Sequence, residues 1–516
     1  MKSLRDLLLQ VQHTAHGDQT VPTSTIAYDS RRVQPGGLFV AIKGSHTDGH
    51  QHIGAALAQG AVAIVYDDPD QPPPAAVPAA LVPNAKVALS PIAAAFYEYP
   101  AQHLDVIGIT GSKGKTTTTF LTAAALEASG ELVGFLSTVD FKIAGRQWSN
   151  DTRQSTPEAL EVQAMLREMV TAGCHYAVIE STSHGLSPRW NRLGDCAYDL
   201  ALMTNVTHEH LDYHGSVEQY QQDKAEMFRL LAASSRQKII NGQQTTPRKM
   251  AIVNADDPTA DLYRNAAGAE VEHLSYAIHA PADLRATNIE STSRGLRFTA
   301  HTPVGTFQLN LQLVGTFYVY NVLAVLAVCV ARGIDLAAAI GRLEGISGIS
   351  GRMDQVNVGQ PFSVLVDYAH NPDSFEQVMA MMRPLTEGRL IAVFGSAGER
   401  DRAKRPLQGA VAARWCDLLY LADEDPRGED GLTILHEIAV GALAEGKQLG
   451  VDCYLVPDRR AAIRAAFESA KAGDVVLLLG KGHEGSIIYA EGSIPWNERA
   501  VACEELAALG YGPPTP

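Results

Sequence analysis

Short apolar runs, separated by polar or helix-periodic stretches, recur along the chain. Leu38-Phe39-Val40-Ala41-Ile42 and Ala61-Val62-Ala63-Ile64-Val65 predict two strands, with a helix around Ile53 to Gln59 between them. The Pro- and Ala-rich stretch from Asp67 to Pro83 predicts a surface loop, because proline neither continues a helix nor donates within a central strand. Ala80-Leu81-Val82 and Val87-Ala88-Leu89 predict further short elements beside it. From about residue 101 the pattern alternates strand and helix. Asp105-Val106-Ile107-Gly108-Ile109-Thr110, Tyr176-Ala177-Val178-Ile179-Glu180 and Leu200-Ala201-Leu202-Met203-Thr204-Asn205 are buried-strand runs with polar residues at their C-terminal ends. Ligands of open α/β sheets bind at such ends. Lys238-Ile239-Ile240 and Met250-Ala251-Ile252-Val253-Asn254 flank a polar loop over 241–248, and a helix is predicted from Val217 to Leu231. A second alternating set follows at 363–367, 390–394, 418–421 and 475–479, which predicts another open, mainly parallel sheet.

The chain has 516 residues. At roughly 150 residues per domain this predicts three domains, placed at 1–100, 101–349 and 350–516. Lys plus Arg number 42 against 57 Asp plus Glu, giving a net charge of −15, which disfavours nucleic acid as a partner. No run approaches the ~20 apolar residues of a membrane span, and the N-terminal apolar patch is too short for a signal peptide. Cys174, Cys196, Cys329, Cys416, Cys453 and Cys503 form no C-x-x-C pair, which fits a reducing cytoplasm.

Thr110-Gly111-Ser112-Lys113-Gly114-Lys115-Thr116 follows a strand and opens a helix. Backbone N–H groups of such a turn cradle phosphate oxygens, Lys115 reaches the β/γ-phosphates, and the Thr116 hydroxyl ligates Mg²⁺. Glu180 ends a strand and is followed by Ser181-Thr182-Ser183-His184-Gly185; His208, His210 and His214 share one turn-rich stretch. With a triphosphate loop nearby and no Cys partner or H-E-x-x-H helix, Mg²⁺ on oxygen ligands is expected rather than zinc. Lys224, taken alone, reads as a solvated lysine of the 217–231 helix.

Several longer motifs then fall in order: H-L-D-Y-H-G at 210–215 with Tyr220 and Lys224 after it, N-A-D-D at 254–257, G-R-M at 351–353, D-Y-A-H-N-P at 367–372, G-E-R-D-R-A-K-R-P-L at 398–407 and G-K-G-H-E at 480–484. Together with the phosphate loop they resemble the Mur ligase family nearly end to end, most closely its MurE branch, which adds the third residue of the peptidoglycan stem peptide. The resemblance implies an α/β protein of three domains, each on an open mainly parallel sheet: an N-terminal UDP-binding domain, a central P-loop ATPase domain and a C-terminal Rossmann-like domain. It implies ATP, Mg²⁺ and a CO₂-derived carbamate on Lys224. The partners it implies are UDP-MurNAc-L-Ala-D-Glu and a diamino acid, and a monomer is expected.

By position, the resemblance implies that Tyr28-Asp29-Ser30-Arg31 and Ser45-His46-Thr47 hold the UDP-sugar. Ser155, Thr156 and Thr182 would contact the muramoyl peptide, with Arg192 as a further contact and Arg189 as the alternative. Gly111, Ser112, Lys113, Gly114, Lys115, Thr116, Thr117, Asn321, Arg352 and Asp367 would bind ATP. Thr116, Glu180, His210 and carbamylated Lys224 would hold the metal, with Lys115, Lys224 and His210 catalytic. Tyr318, where relatives commonly carry Asn, departs from the pattern just before Asn321. Arg400, Gly480 and Glu484 match amino-acid-binding positions, as do Glu424-Asp425-Pro426-Arg427, which stand where enzymes for meso-diaminopimelate carry D-N-P-R. Asp425 in place of Asn adds a negative charge where a distal carboxylate would lie, so L-lysine or L-ornithine is favoured over meso-diaminopimelate. The competing readings are another Mur or folylpolyglutamate-type ligase, a non-catalytic Mur-like scaffold, and a switch GTPase. The last should show N-K-x-D, which the sequence lacks.

Overall fold

The computed structural model describes residues 1–44, 47–150, 152, 154–207 and 211–512. Ser45, His46 and His210 lie outside the described residues. The chain divides into two compact units. One comprises Met1–Arg285, Thr302–Val304 and Tyr320–Ala339; the other comprises Ala286–His301, Gly305–Val319 and the chain from Ile340 onward.

Among the described residues, the first unit contains two two-stranded sheets and two large ones. The smaller has the order Thr14–His16, Ala79–Leu81, Ala61–Tyr66, Gly37–Val40, Thr25–Ala27, parallel except for its first pair. Its two faces bury Leu38, Val40, Ala63 and Val65 on one side and Phe39, Ala41, Ile64 and Tyr66 on the other. The short element expected at Ala80-Leu81-Val82 is thus an interior strand, Ala79–Leu81, at the end of the Pro-rich stretch. Pro78 and Pro83 flank Ala79–Leu81 without donating, and the Pro78 carbonyl accepts from Ile64 N at 3.0 Å. The run at 87–89 belongs to a full helix, Ala85–Phe96, capped by the Asn84 side chain on Val87 N. Pro91 sits inside this helix, and the Val87 carbonyl it would otherwise leave without a donor accepts from Asn191 Nδ2 at 3.1 Å.

The larger sheet of this unit runs Arg146–Ser149, Asp140–Ile143, Val133–Leu136, Tyr176–Glu180, Asp105–Thr110, Leu200–Met203, Met250–Asn254, Glu272–Ala277. From Val133–Leu136 onward its strands are parallel. Register matters for function: Glu180 lies opposite Ile109, and Met203 opposite Thr110. The C-terminal ends of three strands therefore converge, and the chain leaves Asp105–Thr110 for strands on both sides of it, the switch point where ligands settle. At the opposite edge, Asp199 pairs with Lys238 and Lys249, and Asp105 with Arg332, all nearly fully buried. This internally compensated network ties strand beginnings together. The loop expected at 241–248 contains a small hairpin of Lys238–Ile240 with Gln243–Thr245.

The second unit holds a sheet of order Asp354–Val356, Ser363–Asp367, Val475–Leu479, Leu390–Phe394, Leu418–Leu421, Cys453–Leu455, parallel except for the first pair. Its core includes Val364, Val366, Ile391, Val393, Val476 and Leu478. The sequence pattern missed the short edge strands and the hairpin Ser486–Tyr489 with Gly492–Pro495. Among the described residues, no helix is long and apolar enough to cross a membrane.

Candidate functional site

The strand Asp105–Thr110 is buried throughout and delivers the chain into a turn with two left-handed glycines, Gly111 at φ +145° and Gly114 at φ +82°. Neither has room for a side chain. A Cβ on Gly111 would lie 1.9 Å from Thr204 Oγ1, and one on Gly114 would lie 2.6 Å from Asn321 Oδ1. The neighbouring strand end clasps the turn: Ser112 N donates to Asn205 O at 2.7 Å, Lys113 N to Asn205 Oδ1 at 3.0 Å, and Thr204 Oγ1 to Lys113 O at 2.7 Å. Ser112 Oγ lies 2.8 Å from Tyr220 Oη. The helix Lys115–Leu126 starts at Gly114 with no side-chain cap, which leaves its N-terminal dipole to face an anion. Lys115 Nζ folds over the turn, donating to Gly111 O at 2.9 Å and Ser112 O at 2.7 Å.

The next residue, Thr116, donates its Oγ1 hydroxyl to Glu180 Oε2 at 2.9 Å. Glu180 is 3% exposed and also accepts from Thr138 N at 2.8 Å and Thr138 Oγ1 at 2.9 Å. Lys224 is buried, not solvated: its ammonium donates to Gly111 O at 2.7 Å and lies over the Tyr220 ring. The helix Val217–Ala233 places Tyr220, Lys224, Met227, Phe228 and Leu231 on its buried face. Beside it, His214 Nδ1 meets Asp223 Oδ2 at 2.7 Å and His214 Nε2 meets Ser183 Oγ at 3.0 Å, all three groups buried. Asn321 is 5% exposed, and its Nδ2 has no hydrogen-bond partner among the described residues. A buried amide donor next to the phosphate turn fits a nucleotide acceptor. Carboxylate and hydroxyl oxygens of Glu180 and Thr116 are the hard donors Mg²⁺ prefers.

Other predicted residues of this unit form separate groups. Thr156 Oγ1 and Thr182 Oγ1 are 2.7 Å apart, and Arg192 donates to Thr156 O at 3.0 Å and to Glu158. Arg189, more than half exposed, instead reaches toward Asp223 at 3.7 Å. Ser155 and Thr47 are exposed. Tyr28 Oη donates to Glu161 at 2.8 Å, Ser30 starts the short 3₁₀ turn after it, and Arg31 pairs with Asp29. Thr117 is buried in the first turn of the 115–126 helix.

In the second unit, Asp367 Oδ2 accepts from Met353 N at 2.9 Å and Oδ1 from Ala369 N at 2.8 Å. Burial pushes its carboxyl up, against the pull of Arg352 and these N–H groups. Arg352 lies over the Tyr368 ring, and Tyr318, the departure from the expected pattern, donates its hydroxyl to Arg352 O at 2.7 Å. Glu424, Asp425 and Pro426 are buried, Arg427 is half-buried at φ +56°, and Arg400 is exposed. Asp425 is not an isolated charge, as the sequence argument assumed: its Oδ1 accepts from Lys481 Nζ at 2.8 Å and Ile488 N at 3.0 Å. Lys481 also donates to Glu484 at 2.6 Å. Burial raises the Glu424 carboxyl, and Glu424 Oε2 and Arg427 Nε lack partners among the described residues. Unpartnered buried charge-bearing atoms of opposite sign, close in sequence, fit a ligand with both an ammonium and a carboxylate.

Three family models match the chain: Mur ligase family, catalytic domain over 22–97; Mur ligase middle domain over 109–329; and Mur ligase, glutamate ligase domain over 351–482. A UDP-N-acetylmuramyl-tripeptide synthetase of Roseiflexus sp. (strain RS-1) is 55% identical over 99% of both chains. The chain belongs to the Mur ligase family. A UDP-N-acetylmuramoyl-L-alanyl-D-glutamate--2,6-diaminopimelate ligase of Geobacillus thermodenitrificans (strain NG80-2) is 38% identical over 92% of this chain and 93% of the relative. A solved structure of a ligase of that description superposes with a TM-score of 0.70 at 27% identity, covering 99% of this chain and 100% of the other. The three-domain, mainly parallel α/β Mur ligase fold expected from the motifs is therefore the fold observed. Sequence reasoning assigned no role to Thr138 or Lys481. Thr138 follows the buried run Val133–Leu136, so the strand-end rule that singled out Glu180 would have found it.

Proposed function

We propose that this Mur ligase is a MurE-type ligase, which uses ATP to join a diamino acid to the D-Glu carboxylate of UDP-MurNAc-L-Ala-D-Glu. The observation that carries the reading is the cluster on the 111–116 turn: Thr116 on Glu180 at 2.9 Å, with Lys115 and Lys224 both on Gly111 O. A carboxylate is a poor electrophile; phosphorylation to an acyl phosphate supplies a leaving group, and the incoming amine then displaces phosphate. Lys115 would leave the turn carbonyls for phosphate oxygens and offset charge as the phosphoryl group moves. Glu180 and Thr116 would hold Mg²⁺, and His210 and a carbamate on Lys224 complete the proposed set. Mg²⁺, when bound, withdraws charge from the phosphoryl oxygens. Tyr28, Asp29, Ser30, Arg31, Ser45, His46 and Thr47 are proposed for the UDP-sugar; Ser155, Thr156, Thr182 and Arg192 for the peptide. For Arg192, its bond to Thr156 O favours it over Arg189. Asn321, Arg352 and Asp367 are proposed for ATP.

The working domain boundaries are 1–100, 101–349 and 350–516, and the enzyme is proposed to act as a cytoplasmic monomer. For the amino acid, Lys481 compensates part of the Asp425 charge, yet the 424–427 and 480–484 segments still set Glu424, Asp425 and Glu484 against Arg427 and Lys481. Arg400, which with Gly480 completes the proposed pocket, makes three bases against three acids, so the preference for L-lysine or L-ornithine rests on Asp425 standing where Asn is expected rather than on net charge. The test is amino-acid-dependent ADP release with UDP-MurNAc-L-Ala-D-Glu and L-lysine, L-ornithine or meso-diaminopimelate. Lys115→Met and Lys224→Arg should each lower turnover about 100-fold or more. Fastest turnover with diaminopimelate overturns the amino-acid preference; no release with any of the three, or undiminished ligation by either variant, overturns the function.

A further inference from the structure

We infer that Lys481 is a positioning residue for the incoming diamino acid, holding Asp425 and Glu484 in one fixed arrangement from beneath. The inference rests on the ligase reading above. Lys481 has a fully buried side chain, whereas those of Asp425 and Glu484 are 10% and 35% exposed. Its ammonium is therefore shielded from solvent, while Asp425 is nearly buried and Glu484 reaches the surface. The G-K-G sequence explains how a lysine comes to lie there. Gly480 adopts φ +100° and Gly482 φ +50°; a Cβ on the first would approach Glu424 Oε2 to 2.9 Å, and on the second Tyr368 Cβ to 2.7 Å. The two glycines thread the chain between these groups and turn the residue between them inward.

The grip is shared with the backbone. Ile488 N donates to the same Asp425 oxygen that Lys481 holds, at 3.0 Å, and Ile488 O accepts from Arg427 N at 2.9 Å. Asp425 and Arg427 are thus fixed from two directions, and Glu484 is tied to them through Lys481 at its Oε2, with Tyr368 Oη 3.5 Å from its Oε1. A buried ammonium between two carboxylates is retained at a desolvation cost, and removing it strands both acids. The consequence for a ligand is that these acids present fixed geometry rather than repelling one another apart.

The experiment is steady-state kinetics of full-length Lys481→Met with the diamino acid that wild type uses best. KM for the diamino acid should rise about 10-fold or more, the scale of a lost hydrogen bond to a charged group. KM for ATP and for UDP-MurNAc-L-Ala-D-Glu should stay within about 2-fold, and kcat should fall far less than KM rises. Adding Asp425→Asn removes one stranded charge, so the double variant's KM rise should fall well short of the product of the two single rises. Equal rises in all three KM values, or an additive double variant, overturn the inference. Should Lys481→Met be recovered unfolded, Asp425→Asn, Glu484→Gln and their combination carry the test. Acting through one ammonium, their combined effect on diamino-acid KM should be less than the product of the singles, and a full product overturns the inference. A wild type without amino-acid-dependent ADP release would instead strike the ligase reading.

Discussion

Gly114→Ala, compared with Gly130→Ala, measures what the phosphate turn demands of its backbone. Both glycines adopt nearly the same left-handed conformation, φ +82°, ψ −5° at Gly114 and φ +85°, ψ −1° at Gly130. An alanine at either position costs about 1–2 kcal/mol for that conformation alone. At Gly130 nothing lies within 4 Å of the new Cβ, whereas at Gly114 it meets Asn321 Oδ1 at 2.6 Å. Asn321 is 5% exposed and has to leave a packed position, an overpacking cost of about 1–3 kcal/mol. Gly130→Ala should therefore lose about 1–2 kcal/mol and Gly114→Ala about 2–5 kcal/mol. Since a chain with more than one compact unit need not unfold in one step, the comparison uses the urea transition that added ATP and Mg²⁺ shift upward. Truncating Asn321 to Ala in the Gly114→Ala background removes the clashing oxygen and should shrink the gap between the two alanine variants. Equal losses at the two glycines, or an Asn321→Ala change that adds its full cost, refutes the steric account.

Two further predictions concern the second unit. Burial, with Arg352 and Lys481 nearby, depresses the His483 imidazole from 6.5 to about 4. The unfolded chain then binds the proton more readily, so stability is present above the unfolded value and is lost as pH falls from about 6.5 toward 4, by at most about 2–3 kcal/mol. Thermal unfolding of His483→Gln across that window should show a flatter decline than wild type; parallel curves would contradict the assignment. Arg459 and Glu498 form a fully buried ion pair, with Arg459 also donating to Leu479 O at 2.7 Å. Arg459→Leu strands the carboxylate and should cost about 3–5 kcal/mol in urea unfolding, while Arg459→Leu with Glu498→Leu should cost clearly less. A double variant as unstable as the single would show that the cost is packing rather than charge.

The strands of both large sheets were legible because each is a short apolar run ending in polar residues, as at Ile109-Thr110, Ile179-Glu180 and Met203-Thr204. Edge strands were not, since Asp354–Val356 and Arg146–Ser149 are short or half-exposed and carry no apolar run. In the first hundred residues the short element at 80–82 was legible but the full helix through Pro91 was not, because proline's cost is local. Pro78 and Pro83 fall just outside a strand, and the gap Pro91 opens in its helix is filled by an asparagine about a hundred residues away. No local window contains that compensation. Asp425 misled for a related reason: its charge is legible, but its neutralising partner Lys481 lies 56 positions on.

Lys224 shows where the same information was present and unread. A lysine on a helix of mean polar character reads as solvated, and only family resemblance pointed elsewhere. Yet Tyr220, Met227, Phe228 and Leu231 recur on one face of Val217–Ala233, and Lys224 falls at the i+4 position after Tyr220 within that stripe. A charge inside an apolar stripe has to be paired when the stripe is buried. Here its partner is the carbonyl of Gly111, the residue that opens the phosphate turn. The buried lysine and the tight glycine turn are thus one structural unit: the turn offers a carbonyl that no Cβ-bearing residue could bring so close to Thr204, and the helix supplies a cation to meet it. That pairing fixes the Lys224 nitrogen beside the 111–116 loop, and carboxylation there, as proposed, would leave one N–H to donate to Gly111 O while converting the cation into a carbamate able to hold a metal ion.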